Sequence, residues 1–452
     1  MDVSTKKIPF HWRLIWIAIL ALVAAGLACN LPTPTADPIG AASPSASPQS
    51  DSPEDWLSLV STDSPSQFVI VYIKDGNLWS WDADNDRRQL TFSGTALFTR
   101  LSPDSKVAAY TVQTDEFHQE IWVVNTVGGD QRRLVTIADL NALSARSRES
   151  GSQAANPHQI EWIPNSHDLA FNMHQSFESQ GITLLDDLHT VNADSGQIST
   201  VLTAGLGGEF YFSPDGKQIA LVTPTNVSIV DADGTNRRED ALTYKGVITY
   251  SEYNYYAHPI WAPASDFLMA AIPADDPLAN PRGPTTVWRI EVDGQPAIQL
   301  GSFKMAPFFQ VEPSFSPDLS YLIYLREGNK PQSNLLELHI ATPDGFSDML
   351  YYPAAVLEFY GWAPDSRHFL FSLGQERSLQ LGRVFGKIRP QDSALADPLR
   401  IAWADDQHMI IIKNNQSTGM WEMYLAGLDG ALTMIDSAQG ETPTFDFAGH
   451  LD

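Results

Sequence analysis

The chain has 452 residues, 54 acidic against 28 basic side chains, and a formal charge of −26 at pH 7. A surface this acidic repels nucleic acid, and no basic stripe is present, so nucleic-acid binding is excluded as a function class. A single cysteine, Cys29, rules out an intrachain disulfide.

Residues 1–29 carry Lys6, Lys7 and Arg13, an apolar stretch Leu14–Ala28, and then Cys29. A basic flank, a short apolar run and small residues at its end form a secretory signal, and the run is short for a membrane span. The context Ala25-Gly26-Leu27-Ala28-Cys29 resembles a bacterial lipoprotein signal, which implies lipidation of Cys29, although Gly26 stands where a Leu-like residue is usual. Residues 30–66 are rich in Pro and Ser (Pro-Thr-Pro-Thr, Ala-Ser-Pro-Ser-Ala-Ser-Pro). Such a segment buries too little apolar surface to offset ordering and is expected to be an extended tether. The expected location is extracytoplasmic, in a cell envelope, with the membrane reached only through this N-terminal anchor.

From residue 67 one phrase repeats: an aromatic residue (once Leu), Ser or Ala, Pro, usually Asp, then an apolar run. It begins at Leu101, Trp162, Phe212, Trp261, Phe315 and Trp362, with a worn copy at Trp403; the spacings are 61, 50, 49, 54, 47 and 41. A second phrase, apolar residues ending in an acidic turn, falls near 82, 125, 192, 231, 291, 341, 383 and 427. Pro-Asp and Asp-Gly are turn chemistry, and the β-branched and aromatic runs between them read as strands. One unit is therefore strand a, Pro-Asp turn, strand b, loop, strand c, acidic turn, strand d: a propeller blade.

Eight acidic turns against seven Pro-Asp phrases mean that the chain opens with strands b, c and d. The missing strand a is read at 442–449, where it closes a ring by pairing with the first three strands and hides the sheet edges. The fold class is all-β, a β-propeller of four-stranded antiparallel blades over 67–452. Eight blades is the count; seven is the alternative, because the units near 383 and 403 are degenerate. No helix-period segment of note is seen after residue 66.

The two phrases together, intact in Phe212–Gly234, resemble the TolB-type (WD-like) β-propeller repeat, and also blades of dipeptidyl-peptidase-like and tricorn-like proteases. The resemblance covers about 66–450 and implies the propeller but no single activity. TolB-type proteins have an additional α/β domain that is not visible here, and no Gly-x-Ser-x-Gly elbow, phosphate loop, His-Glu-x-x-His motif or paired cysteines occur.

Alternating strand direction puts the a–b and c–d turns on one face. The b–c and d–a connections on the other hold the long insertions 113–119, 136–157, 174–186, 243–257, 273–285 and 384–399. Long loops on a rigid scaffold carry binding; the competing reading is neutral insertion. The insertion at 136–157, with Arg146, Arg148 and Glu149, reads as flexible. Tyr244, Tyr250, Tyr253, Tyr255 and Tyr256 make the next loop tyrosine-rich, as binding surfaces are, with the alternative that half of them pack on the ring. Arg282 lies in the loop after it. Strand a lines the channel, and counting back five residues from the phrase Pro gives Phe98, Gln159, Glu209, His258, Glu312, Phe359 and, by the same offset, Arg400. Glu209, His258 and Glu312 come from consecutive blades and could share a ligand; separate solvated rim residues are the competing reading. Two acids and one histidine are a weak metal signal, and Asp82-Ala83-Asp84-Asn85-Asp86 lacks the Gly and Glu of a calcium loop, so no metal or other cofactor is expected. The function expected from these features is a non-catalytic, exported propeller binding a protein or peptide on its long-loop face. The alternative is an extracytoplasmic hydrolase or lyase acting on peptide or glycan at the channel mouth, with Glu209, His258 and Glu312 as its groups.

Overall fold

The computed structural model describes residues 68–449 apart from 83, 85, 179–180, 252, 310–311 and 329–334. The expectations for Cys29, the signal and the tether lie outside the described residues. Eight antiparallel sheets form an eight-bladed propeller. Seven have four strands, and blade 3 has a fifth.

The closing strand is where the repeat count puts it. Phe445–Ala448 is strand a of blade 1 and pairs with strand b, Val69–Lys74, in the register Val69↔Ala448 to Tyr72↔Phe445. On the other side of the seam, Asp436 of blade 8 is almost wholly buried. It accepts hydrogen bonds from Tyr72 Oη (2.8 Å), Lys74 Nζ (2.9 Å) and Arg87 Nη1 (2.5 Å), all of blade 1.

The inner strands are apolar almost throughout because both their faces meet a neighbouring blade. Strand b of blade 4, Gln218–Thr223, buries Ile219-Ala220-Leu221-Val222, whereas its outer strand Arg238–Thr243 begins Arg-Glu-Asp at the surface. Each of the eight hydrophobic clusters bridges two successive blades. One joins Leu134 and Val135 of blade 2 to Phe171 and Met173 of blade 3. Another joins Tyr72 and Trp81 of blade 1 to Ile410 and Trp421 of blade 8. The ring thus has no single core; it has a seam between every pair of sheets.

The repeated phrase does two jobs. In Ser-Pro-Asp the serine hydroxyl donates to the aspartate two residues on (Ser213 to Asp215, 2.7 Å; the same at Ser102–Asp104 and Ser316–Asp318) and accepts from the first amide of strand b. The next residue takes a left-handed conformation, as Gly216 (φ 72°) but also Ser105, Ser265, Leu319 and Ser366. The anchor tryptophan ties blades together. The indole N–H of Trp162, Trp261, Trp362 and Trp403 donates to a carbonyl in strand a of the preceding blade, at Arg100, Tyr211, Ser314 and Gly361.

Three expectations are corrected. Insertion 136–157 is not flexible: it holds a helix, α1 (Ile137–Ser144), and most of an eleven-residue strand a, Ser152–Trp162. Thr136 and Asp139 form a reciprocal capping box at the helix start, and Arg148 is held by Asn141 and the carbonyl of Ser152. Insertion 174–186 forms the fifth strand of blade 3, Ile182–Leu184. Segment 384–399 is not one loop, since strand d of blade 7, Arg389–Pro390, divides it. No helix among the described residues is long and apolar enough to cross a membrane.

Candidate functional site

Strand a of each blade starts at the long-loop face, so its first residues ring the mouth of the channel. Two of the three residues singled out from consecutive blades are bonded. His258 Nδ1 lies 2.7 Å from Glu312 Oε2. Each stands two residues before its strand a, Ile260–Trp261 in blade 5 and Ser314–Phe315 in blade 6. Both side chains reach water, at 53 and 39 % exposure. The bond to Glu312 raises the imidazole above its usual range, with the charge of Glu209 adding to the effect. Nδ1 is thereby held protonated, and Nε2 has no partner among the described residues.

Glu209 opens strand a of blade 4. It is placed by the pair Gly207-Gly208: a side chain at Gly208 (φ 151°) would stand 2.3 Å from the carbonyl of Val222. Its Oε2 accepts from Tyr211 Oη, 3.0 Å away. Burial first, then the charges of Glu209, Glu312 and Glu161, push the Tyr211 phenol well up, so it remains a donor.

A second tier lies two residues further along the same strands, as strand alternation requires. Arg100 makes a bidentate pair with Glu161, 3.0 Å at each contact, and its guanidinium lies 4.3 Å over the Phe98 ring. Gln159 bonds both the amide and the carbonyl of Phe210, stapling blade 3 to blade 4. Phe98, Arg100, His158, Gln159, Glu161 and Glu209 line a cavity of about 290 Å³. A bulge between Pro157 and Ile160 turns His158 and Gln159 into it. Beside it, His174 packs edge-on against His158 (5.6 Å); burial and then the neighbouring imidazole depress His174 to about 4.

The tyrosine-rich loop divides. Tyr255 is buried, and Tyr244 and Tyr256 pack against the same cluster between blades 4 and 5. Tyr244 Oη donates to the carbonyl of Thr223 at 2.7 Å. Tyr250 and Tyr253 are exposed, and Tyr250 Oη donates to Asp276 at 2.7 Å. Arg282 is committed to structure, donating to the carbonyls of Pro277 (2.6 Å) and Met305 (2.9 Å) and reaching Glu327. Phe359 does not face the channel. A bulge between Phe359 and Gly361 turns it onto Phe369, and Glu358 and Tyr360 bond Arg377 instead. Among the described residues no group of three or more His, Cys, Asp or Glu side chains is arranged to hold a metal ion.

The fold and this mouth define the class: an eight-bladed β-propeller with a polar channel entrance. No family model and no curated protein matches the chain. Similar solved structures share the propeller fold. A eukaryotic initiation factor is 11 % identical over 84 % of this chain and 98 % of its own (TM-score 0.49). An oligogalacturonate lyase in complex with manganese is 14 % identical over 68 and 82 % (0.43). TolB from Acinetobacter baumannii is 15 % identical over 63 % of each chain (0.33). Prolyl endopeptidase and acylaminoacyl peptidases also match, and this chain spans about half their length. The expectation of a non-catalytic binder is corrected here. The similar structures are mostly propeller enzymes, with TolB among the others; at the channel mouth His258 and Glu312 are bonded though both reach water, and Glu209 pairs with Tyr211.

Proposed function

We propose that the protein is an extracytoplasmic propeller enzyme, a hydrolase or lyase, with its active site at the channel mouth. The observation that carries this reading is the 2.7 Å bond between His258 and Glu312; Glu209, whose charge acts on His258, lines the cavity of about 290 Å³. Glu312 fixes the tautomer that leaves the Nε2 lone pair unbonded and stabilises the imidazolium formed when Nε2 takes a proton. That proton comes from an attacking water in a hydrolase, or from a carbon acid in a lyase. Tyr211 donates a hydrogen bond to Glu209 as a second pair, and Arg100 with Phe98 forms part of the cavity wall. The test is turnover of fluorogenic peptide and glycoside panels by the purified protein. His258→Ala and Glu312→Gln are expected to cut turnover by about 10²–10⁴-fold, the usual worth of positioned acid–base catalysis, with unchanged melting. Full activity in His258→Ala, or no turnover of any panel member, overturns the reading.

Export rests on residues 1–29, lipid attachment on Cys29, and a spacer on 30–66. Palmitate labelling of the wild type and of Cys29→Ser tests this. Label retained by the variant removes the anchor.

A further inference from the structure

The tyrosine that matters most in the long loop is the least exposed one. Tyr255 is 7 % exposed. Its ring is held edge-on by Phe308 (4.8 Å), which is in turn braced by Phe309 (5.6 Å). The loop bearing it leads straight into His258, and the loop bearing the phenylalanines leads straight into Glu312. Its hydroxyl makes no hydrogen bond to any described residue. Nor is it sealed from water, unlike His174 Nδ1 and Asp186 Oδ1, which are buried without a partner. It lies near the carboxylates Glu312 and Glu209, whose charges act on it, and near the phenols of Tyr244 and Tyr211. Burial, with those charges, keeps the phenol protonated far above neutral pH. A ring packed on Phe308 that holds out a hydroxyl the protein itself does not use is a good arrangement for recognition.

We propose that Tyr255 is the oxygen-recognising residue of the mouth, donating to a carbonyl of a peptide ligand. This rests on the mouth being the substrate site and adds the substrate class. The neighbouring carboxylates are each engaged through one oxygen, Glu312 by His258 and Glu209 by Tyr211, and neither accepts from Tyr255. The second oxygen of Glu209 has no partner among the described residues, so it can accept from an amide N–H or an ammonium. A carbonyl acceptor next to an N–H donor is the repeating unit of a peptide. Charge narrows the class further. Of the three glutamates, Glu161 is neutralised by Arg100 and Glu312 is paired with His258, which leaves Glu209 as the carboxylate with no cationic partner among the described residues. A polyanion such as an oligouronate is repelled, and a free amino terminus is attracted.

The test is calorimetric titration of the full chain and of Tyr255→Phe. The probes are tri-alanine amide, N-acetyl tri-alanine amide, chitotriose and tri-galacturonate. Tri-alanine amide is expected to bind, the acetylated peptide more weakly, and tri-galacturonate not at all. Tyr255→Phe, which keeps the ring packing, is expected to weaken peptide binding about tenfold with unchanged melting, as loss of one net hydrogen bond does. Equal binding by the variant, preference for either glycan, or no peptide binding overturns the proposal. If Tyr255→Phe binds normally while His258→Ala abolishes turnover, this inference falls and the enzyme reading stands. If Tyr255→Phe loses binding while His258→Ala keeps its turnover, the reverse holds.

Discussion

Asp436→Asn should loosen the seam that closes the ring. The carboxylate is 3 % exposed and receives Tyr72, Lys74 and Arg87, all from the opposite side of the seam. Asparagine keeps the shape but removes the charge and turns an N–H toward donors. Breaking a buried ion pair typically costs about 3–5 kcal/mol. Here the Arg87 side chain is 45 % exposed and regains water, whereas Lys74 at 17 % does so only in part, so the discounted cost is about 2–3 kcal/mol. For a domain of this size that is a fall of roughly 3 °C in melting temperature. Differential scanning calorimetry would measure it, with Asp429→Asn, at an exposed turn, as the control. A double-mutant cycle with Lys74→Met should give a coupling of about 1 kcal/mol or more. A change in Asp436→Asn no larger than that of the control would refute the claim that this carboxylate holds blades 8 and 1 together.

Two further perturbations test the architecture around the site. Trp261→Phe removes the indole N–H that holds the carbonyl of Tyr211 at 2.9 Å. It should cost about 1–2 kcal/mol in urea unfolding, whereas an unchanged midpoint would deny the inter-blade tie. His174, depressed to about 4 from 6.5 mainly by burial, remains neutral in the fold while the unfolded chain takes up a proton below 6.5. Stability should therefore fall by up to roughly 3 kcal/mol as pH drops from 6.5 to 4. His174→Gln should flatten that part of the profile, and an unaltered profile would contradict it.

The parts of the fold that read directly from the residues are those set by local chemistry. Ser-Pro-Asp makes its turn from its own hydroxyl and carboxylate, so each copy announces a blade. The surplus acidic turn announces the closing strand, because a ring must pair its last strand with its first sheet. Helix α1 was missed: Thr136-Ile137-Ala138-Asp139 carries a capping-box pattern, but the insertion's mixed composition hid it. What was not legible depends on long-range register. The bulge at Phe359–Gly361 moves blade 7 out of the five-residue count, and the bulge at Pro157–Ile160 brings His158 into the mouth. At the site, Glu209, His258 and Glu312 could be placed by counting. Their second tier, Arg100, Glu161 and Tyr211, follows from alternation two residues on. The inward turn of Tyr255, against the outward turn of Tyr250 and Tyr253, arises from packing on Phe308, which no local pattern encodes.

The central claim is that Glu312 tunes His258 for proton transfer, and titration of the His258 Cε1–H resonance by NMR tests it most directly. The wild-type imidazole should titrate above 6.5, and in Glu312→Gln its midpoint should drop, since the carboxylate that raises it is gone. A midpoint that is the same in both proteins would contradict the account.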